Sequence, residues 1–319
     1  MTPVKKLTSY LKNAPEGGLA QFFLTDNEVK IRIGIWKNIK SKPKSTVILL
    51  PGATEFMEKY FEVIHELINK GFAVAIIDWQ GQGLSDRLLP NPQKHHIDRF
   101  ESYLSDLEEF VDILKEKGMP GTFNFLAHSM GGHIGLRYLH DNPGVISRAI
   151  FSAPMVAIRY GFLPEGIAKL LIKRSIRKGL KDQYALGQGD YGPRRKGKAA
   201  MRLLTHDPDR FMDQHLAIDN NPNLALGGQT YGWLGAAISS IKILNSIGYP
   251  EKIKTPILIV QAGQDFVVNN KLQKKFAMRL PHVRFENISD SAHEIFKEVD
   301  RVRSRFWAYF DDFIEESQL

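Results

Sequence analysis

A serine, an aspartate and a histidine in the chain order Ser129, Asp265, His293 each follow a short apolar run, and their types suit nucleophilic catalysis. Ser129 lies in Ala127-His128-Ser129-Met130-Gly131-Gly132. A small-x-Ser-x-Gly stretch between a strand and a helix makes a turn so tight that its flanking positions must be small, and it thrusts the serine into the open. The helix N-terminus behind it favours developing negative charge. A hydroxyl is a weak nucleophile at neutral pH. It needs a base within hydrogen-bond reach, and the base needs a third group to hold its tautomer. His293, ending Ser289-Asp290-Ser291-Ala292-His293, is the base; of the ten histidines only this one follows a late apolar run in a loop of small residues. Asp265, ending Ala262-Gly263-Gln264-Asp265, is the orienting acid. Asp290 is the rival acid, but it shares a short loop with His293 and is poorly placed to reach the far ring nitrogen.

Attack by Ser129 on a carbonyl would create an oxyanion that needs two backbone N–H donors. Met130, just after the nucleophile, supplies one. Ala53, in Leu50-Pro51-Gly52-Ala53-Thr54-Glu55, supplies the other, with Gly52 allowing close backbone approach. Other suggestive residues carry less. Ser246 has a glycine two residues on but a bulky Leu244 before it, and reads as a helix end. His95-His96 read as solvent-exposed rather than metal-ligating. Gly81-Gln82-Gly83 lacks the third glycine of a dinucleotide loop. His128 and Glu294 flank reacting positions and are expected to pack or cap. Neither a metal nor a cofactor is needed for this chemistry.

These groups must be positioned by a sheet. Residues 30–36 alternate with period two, and 46–50, 73–78, 121–126, 148–152, 256–261 and 283–288 are short buried-strand patterns. Helical patterns lie between them at about 55–70, 98–117, 130–141, 268–279 and 298–315. Such alternation implies an α/β fold with a mostly parallel, doubly wound sheet. It stops between about 156 and 247, where helical patterns rich in Gly and Pro are followed by a strong strand. The expected organisation is a core of residues 1–155 and 248–319 carrying a helical cap of residues 156–247.

The chain has 319 residues, 43% of them hydrophobic and 24% charged, the profile of a water-soluble globular protein. It has no cysteine, which excludes disulfides and thiolate chemistry. Met1 to Gly18 lacks the apolar core of a signal peptide, so the cytoplasm is the expected location. The net charge of +8 is uneven. Arg159 to Arg202 holds twelve Lys and Arg against three Asp and Glu, a local charge of +9 that leaves −1 for the rest. A basic character confined to one segment argues against nucleic-acid binding. On a helix over 164–181, Ala168, Ile172, Ile176 and Leu180 form an apolar row beside a basic row of Lys169, Lys173, Arg177 and Lys181, with Arg174 and Lys178 beyond. That helix either packs on the body or makes peripheral contact with anionic lipid at the inner face of the membrane.

At these residues the chain resembles the lysophospholipase and monoacylglycerol-lipase-like branch of the α/β hydrolases, a branch also labelled serine-aminopeptidase-type. Asp78-Trp79-Gln80-Gly81-Gln82-Gly83-Leu84-Ser85 matches that branch's Asp-x-x-Gly-x-Gly-x-Ser loop, His293-Glu294-Ile295 its His-Glu-Ile ending, and residues 221–234 the cap of bacterial lysophospholipases. Two departures are Pro51, where the branch has histidine, and Ala127, where it has the first elbow glycine. The resemblance implies the α/β-hydrolase fold and cleavage of a carboxylic ester through an acyl-enzyme. Single-chain phospholipids come first as substrates, with monoacylglycerols or small esters as the alternative and an idle binding protein as a remote third. Tyr231 and Trp233 of the cap are candidates to line an acyl-chain site.

Overall fold

The computed structural model describes residues 5–6, 14–37, 43–161 and 163–316. Its strands form one sheet in the order β1 (Lys5–Lys6), β2 (Leu19–Leu24), β3 (Lys30–Trp36), β5 (Ala73–Asp78), β4 (Thr46–Leu50), β6 (Phe123–His128), β7 (Ile146–Ser152), β8 (Ile257–Ala262), β9 (Val283–Ile288). Pairs from β5 through β9 are parallel, and β1–β2, β2–β3 and β3–β5 are antiparallel. The chain order reverses around β4, with β5 on one side and β6 on the other. Loops leaving the carboxyl ends of β4 and β6 therefore part company, which opens a crevice at such switch points.

Helices cover both faces because the central strands are buried on both. On one side, α1 (Phe61–Asn69) and α9 (Asp300–Glu315) pack Ile64, Leu67, Phe306 and Phe310 against Val47, Leu49, Val74 and Val260. On the other, α2 (Glu101–Glu116), α3 (Met130–Asp141) and α8 (Asn270–Ala277) bring Phe110, Ile134 and Phe276 onto Ile48, Phe125 and Ile259. Between β7 and β8 lie α4 (Glu165–Arg177), α5 (Lys198–Leu204), α6 (Pro208–Asn220) and α7 (Tyr231–Leu244), with no extended strand among the described residues. Among those residues no helix is long and apolar enough to cross a membrane.

Several boundaries differ from the expected ones. β6 runs to His128, so Ala127 belongs to the strand and the elbow begins at Ser129 itself. The helix expected over 55–70 splits into a 3₁₀ turn, Met57–Tyr60, and α1; the Met57 N–H is taken by Asp78 Oδ1 at 2.8 Å. The basic helix stops at Arg177 rather than 181, and Leu180 is exposed. β2 was not expected: Leu19 and Leu24 at its ends are exposed, which weakens the period-two signal.

Asp78 shows why the Asp-x-x-Gly-x-Gly-x-Ser loop takes its form. Its buried carboxylate accepts from Arg32 Nε at 2.6 Å, Met57 N–H at 2.8 Å and Leu84 N–H at 2.9 Å. Arg32 also holds Glu58 through two contacts of 2.7 Å. A Cβ on Gly83, whose φ is 53°, would lie 2.0 Å from Asp78 Oδ2, so only glycine lets the loop wrap the carboxylate. Ser85 Oγ donates to Asp78 O at 2.6 Å and accepts from Arg32 N–H at 2.8 Å. The motif thus welds β3, β5 and the turn after β4. Removing one partner of a buried ion pair leaves the other uncompensated. Asp78→Ala is expected to lower the unfolding free energy by about 3 kcal/mol, read as a lower urea midpoint; an unchanged midpoint would mean that Glu58 alone satisfies Arg32.

Candidate active site

Ser129 caps α3 in an unusual backbone conformation, φ 49° and ψ −114°. Neighbouring backbone groups hold it there. Its N–H donates to Ser152 O at 3.1 Å, and its carbonyl accepts from Met155 N–H at 2.9 Å and His133 N–H at 3.1 Å. Space is equally restrictive: a Cβ on Gly131 would come 2.0 Å from Leu50 O, and one on Gly132 2.8 Å from Pro154 Cβ. The two glycines let α3 start against β4 and β7. Ala127 is fully buried within β6.

The carboxyl ends of three strands bring the expected groups together. His293 Nε2 lies 3.0 Å from Ser129 Oγ, and His293 Nδ1 lies 2.6 Å from Asp265 Oδ2. The other oxygen, Asp265 Oδ1, accepts from Val267 N–H at 2.7 Å and Val268 N–H at 2.9 Å. Burial by itself would raise the Asp265 pKa, but His293 and the two N–H groups hold it below the ordinary value. Burial by itself would lower that of His293, and the Asp265 carboxylate outweighs it, holding the ring above the ordinary value of 6.5. Asp290 does not join them; it pairs with Arg301 and Arg305. The His293 loop is fastened at both ends: Ala292 N–H donates to the buried Glu298 at 2.7 Å, and Glu294 N–H donates to Leu204 O at the end of α5 at 2.8 Å.

The loop after β4 stands opposite the elbow. No hydrogen-bond partner within the described residues engages the N–H of Ala53 or Met130. Around Ala53, by contrast, every neighbour is tied. Gly52 N–H donates to Glu55 Oε2 at 2.5 Å, and Thr54 N–H to Gln82 Oε1 at 2.9 Å. Gln82 Nε2 donates to Gly52 O at 3.0 Å and Glu55 O at 3.1 Å, and Trp79 Nε1 to Pro51 O at 2.9 Å. Glu55 accepts from Tyr60 Oη at 2.5 Å and pairs with Lys59 at 2.9 Å, and Lys59 reaches Glu294 at 2.6 Å. Burial would raise the Glu55 pKa; Lys59 above all pulls it down to about 2, so it stays ionised. Glu294 therefore links the histidine loop, through Lys59, to the loop after β4. His128 packs against His293 with ring centroids 4.7 Å apart, and burial lowers its pKa to about 4. The sequence reading missed Glu55, Lys59 and Gln82. Gln82 stood within the glycine loop already singled out; the other two carry no local signal.

Two cavities meet at Ser129. One, of about 570 Å³, is lined mainly by apolar groups including Met155, Ile158, Leu171, Ile172, Leu234 and Val268. Tyr231 and Trp233 also border it, although Trp233 is nearly fully buried and packs on Phe100 and His95. The other, of about 230 Å³, has a more mixed lining, with Gly52, Ala53 and His293 on one side and Tyr191, Arg195 and His215, from the segment between β7 and β8, on the other. The pair His95-His96 is buried, not exposed as expected, because α7 and the turn before it cover both rings: Trp233 lies on His95, and Thr230 Oγ1 is 2.8 Å from His96 Nδ1.

Residues 41–300 match the family described as serine aminopeptidase, S33. The chain is 31% identical over 266 residues to a protein of Haemophilus influenzae named probable lysophospholipase L2, covering 83% of this chain and 82% of that one. It is 33% identical over 235 residues to lysophospholipase L2 of Escherichia coli K12, covering 72% and 66%. Among solved structures, a soluble variant of monoglyceride lipase from Saccharomyces cerevisiae superposes with a TM-score of 0.73 over 98% of both chains at 20% identity, a likeness of fold.

A base must be neutral to accept a proton, so kcat/KM on an ester should climb with pH through the His293 pKa, with its midpoint above the 6.5 of an ordinary histidine. Asp265→Asn removes the group that raises that pKa and is expected to move the limb to lower pH while cutting turnover on the order of a thousandfold or more. Asp290→Asn should leave both unchanged, and the reverse ranking would exchange the roles of the two carboxylates.

Proposed function

The chain belongs to the serine aminopeptidase, S33, family, and from that premise we propose that it cleaves single-chain phospholipids as a lysophospholipase. It is a carboxylic ester hydrolase of the lysophospholipase-like kind. The observation that carries the assignment of residues is the chain of contacts from Ser129 Oγ through His293 to Asp265, at 3.0 and 2.6 Å, at the junction of an apolar cavity and a smaller one that carries charged groups.

In the proposed mechanism the acyl chain enters the larger cavity. His293 Nε2 takes the proton from Ser129 Oγ as the oxygen attacks the ester carbonyl. Ala53 and Met130 N–H groups, both without internal partners, donate to the oxyanion. When the tetrahedral intermediate collapses, the bond from the carbonyl carbon to the glycerol oxygen breaks and His293 returns its proton to that leaving alkoxide. Water then attacks the acyl-enzyme, its proton passing to His293, and fatty acid leaves as Ser129 recovers its hydrogen. Asp265 keeps its charge and stabilises the imidazolium. The helices between β7 and β8 act as a cap in this reading, supported by the α4 side chains Ala168, Leu171 and Ile172 that border the acyl cavity.

The outer side of α4 suits contact with an anionic membrane. Ile167 and Leu170 are 51% and 66% exposed, beside the exposed cations Lys173, Arg174, Arg177 and Lys178. Only Ala168 and Ile172 of this helix are buried. Each basic group near an anionic surface contributes about 1 kcal/mol, so the helix bordering the acyl cavity would also draw the protein to its substrate.

Ser129→Ala is expected to abolish fluorophosphonate labelling and lysophospholipid hydrolysis, by several orders of magnitude, with an unchanged circular dichroism spectrum; labelling that persists would place the nucleophile elsewhere. Sedimentation with vesicles of anionic lipid should fall steeply as salt rises. It should fall further when Lys173, Arg174, Arg177 and Lys178 are changed to Gln, while hydrolysis of a short p-nitrophenyl ester stays intact. Binding that ignores salt and these changes would leave α4 as a plain solvated helix.

A further inference from the structure

The smaller cavity beside Ser129 is bordered by a cationic side chain that the catalytic machinery does not use. Four charged side chains line it: Glu55, Lys59, Arg195 and Glu294. Three are occupied with one another. Lys59 bridges Glu55 and Glu294 at 2.9 and 2.6 Å, and Glu55 also accepts from Gly52 N–H and Tyr60 Oη. Arg195 stands apart. It lies half-buried on the 3₁₀ turn Pro193–Lys196, and among the described residues no carboxylate comes within ion-pair distance of its guanidinium. Its chain neighbour Lys196, by contrast, is paired with Asp219 at 2.6 Å. Burial lowers the Arg195 pKa, as it does for a cation without a counter-ion, yet a guanidinium remains charged at neutral pH.

A second group in the cavity is also unsatisfied. His215 is buried, its Nδ1 is 2.6 Å from Tyr191 Oη, and its Nε2 is buried without a hydrogen-bond partner. Burial lowers its pKa to about 4, so the ring is neutral at working pH. Its contact with the Tyr191 hydroxyl leaves Nε2 to carry the ring proton when that hydroxyl donates. An unpaired guanidinium and an unpartnered imidazole thus share a small cavity with the reacting serine. A glycerol headgroup brings hydroxyls and no charge, leaving the guanidinium uncompensated. A phosphate ester brings an anion whose oxygens match the planar donor fork of arginine.

The geometry points to Arg195 as the residue that binds the phosphate of the headgroup while the acyl chain fills the apolar cavity, and so as the determinant that favours lysophospholipids over monoacylglycerols. This rests on the lysophospholipase reading above and adds to it the basis of headgroup choice. Nothing in the chemistry of the ester requires Arg195, so its loss should be felt by charged substrates alone.

The test compares substrates of one acyl chain: 1-palmitoyl-lysophosphatidylglycerol, 1-palmitoyl-lysophosphatidylcholine and 1-palmitoylglycerol, with p-nitrophenyl butyrate as a headgroup-free reference. Arg195→Gln is expected to reduce kcat/KM on both lysophospholipids by tenfold to a hundredfold, roughly the worth of a charge-assisted contact, chiefly through KM. Monoacylglycerol and the short ester should be unaffected. sn-Glycerol 3-phosphate should inhibit p-nitrophenyl butyrate hydrolysis competitively in the wild type and lose that effect in the variant, while inorganic phosphate alone inhibits poorly. Equal loss on all four substrates would give Arg195 a structural role and overturn the inference. So would a variant that keeps the wild-type preference, or inorganic phosphate inhibiting as well as glycerol phosphate. A wild type that cleaves the short ester but no lysophospholipid would overturn the proposed function as well, which separates the two failures.

Discussion

A serine at φ 49° and ψ −114° sits where side chains are rarely tolerated, at a cost of about 1–3 kcal/mol. It persists only if the surroundings over-determine it. Here Ser152 O accepts from its N–H and Met155 N–H donates to its carbonyl, while Gly131 and Gly132 let the helix begin hard against Leu50 and Pro154. The strain is the price of presenting Oγ at the open end of a rigid sheet with α3 directly behind it. Everything else in the site is arranged around that fixed point: β8 and β9 deliver Asp265 and His293 from one side, and the loop after β4 faces it from the other.

That loop carries no regular structure of its own, and its rigidity comes from side chains. Gln82 binds it at three points, Trp79 at a fourth, and Glu55 folds back onto Gly52. The Asp78 carboxylate in turn holds both the glycine loop that supplies Gln82 and the turn that supplies Lys59. A fully satisfied polar network of this kind fixes one arrangement, because each buried group left unpaired would be costly. The two unengaged N–H groups, at Ala53 and Met130, stand out against it.

What could be read from the residues in order was whatever local rules encode. The elbow shows itself through small residues at fixed offsets between a strand and a helix. Asp265 and His293 show themselves by following strands, and the buried strands by their β-branched runs. The polar scaffold is invisible to such rules, since Lys59 and Glu294 are 235 residues apart and nothing local pairs them. The same reason explains His95 and His96. A pair of histidines in a polar connection looks exposed until residues 230–233, far along the chain, fold over it. Arg195 belongs to a basic run, and only the position of the surrounding carboxylates separates it from its neighbours.

The bond from Glu294 N–H to Leu204 O has company: Thr205 Oγ1 donates to Lys297 O at 2.6 Å, and His206 Nδ1 lies 2.7 Å from Glu298. The stretch 204–206 is therefore stitched to the loop that carries His293, midway through the segment between β7 and β8. A chimera that exchanges the segment between β7 and β8 with that of a relative has three seams, not two. Splicing at the strand ends alone would import a foreign edge against His293, and grafts that keep residues 204–206 with the recipient would exchange the helices on either side without disturbing that histidine.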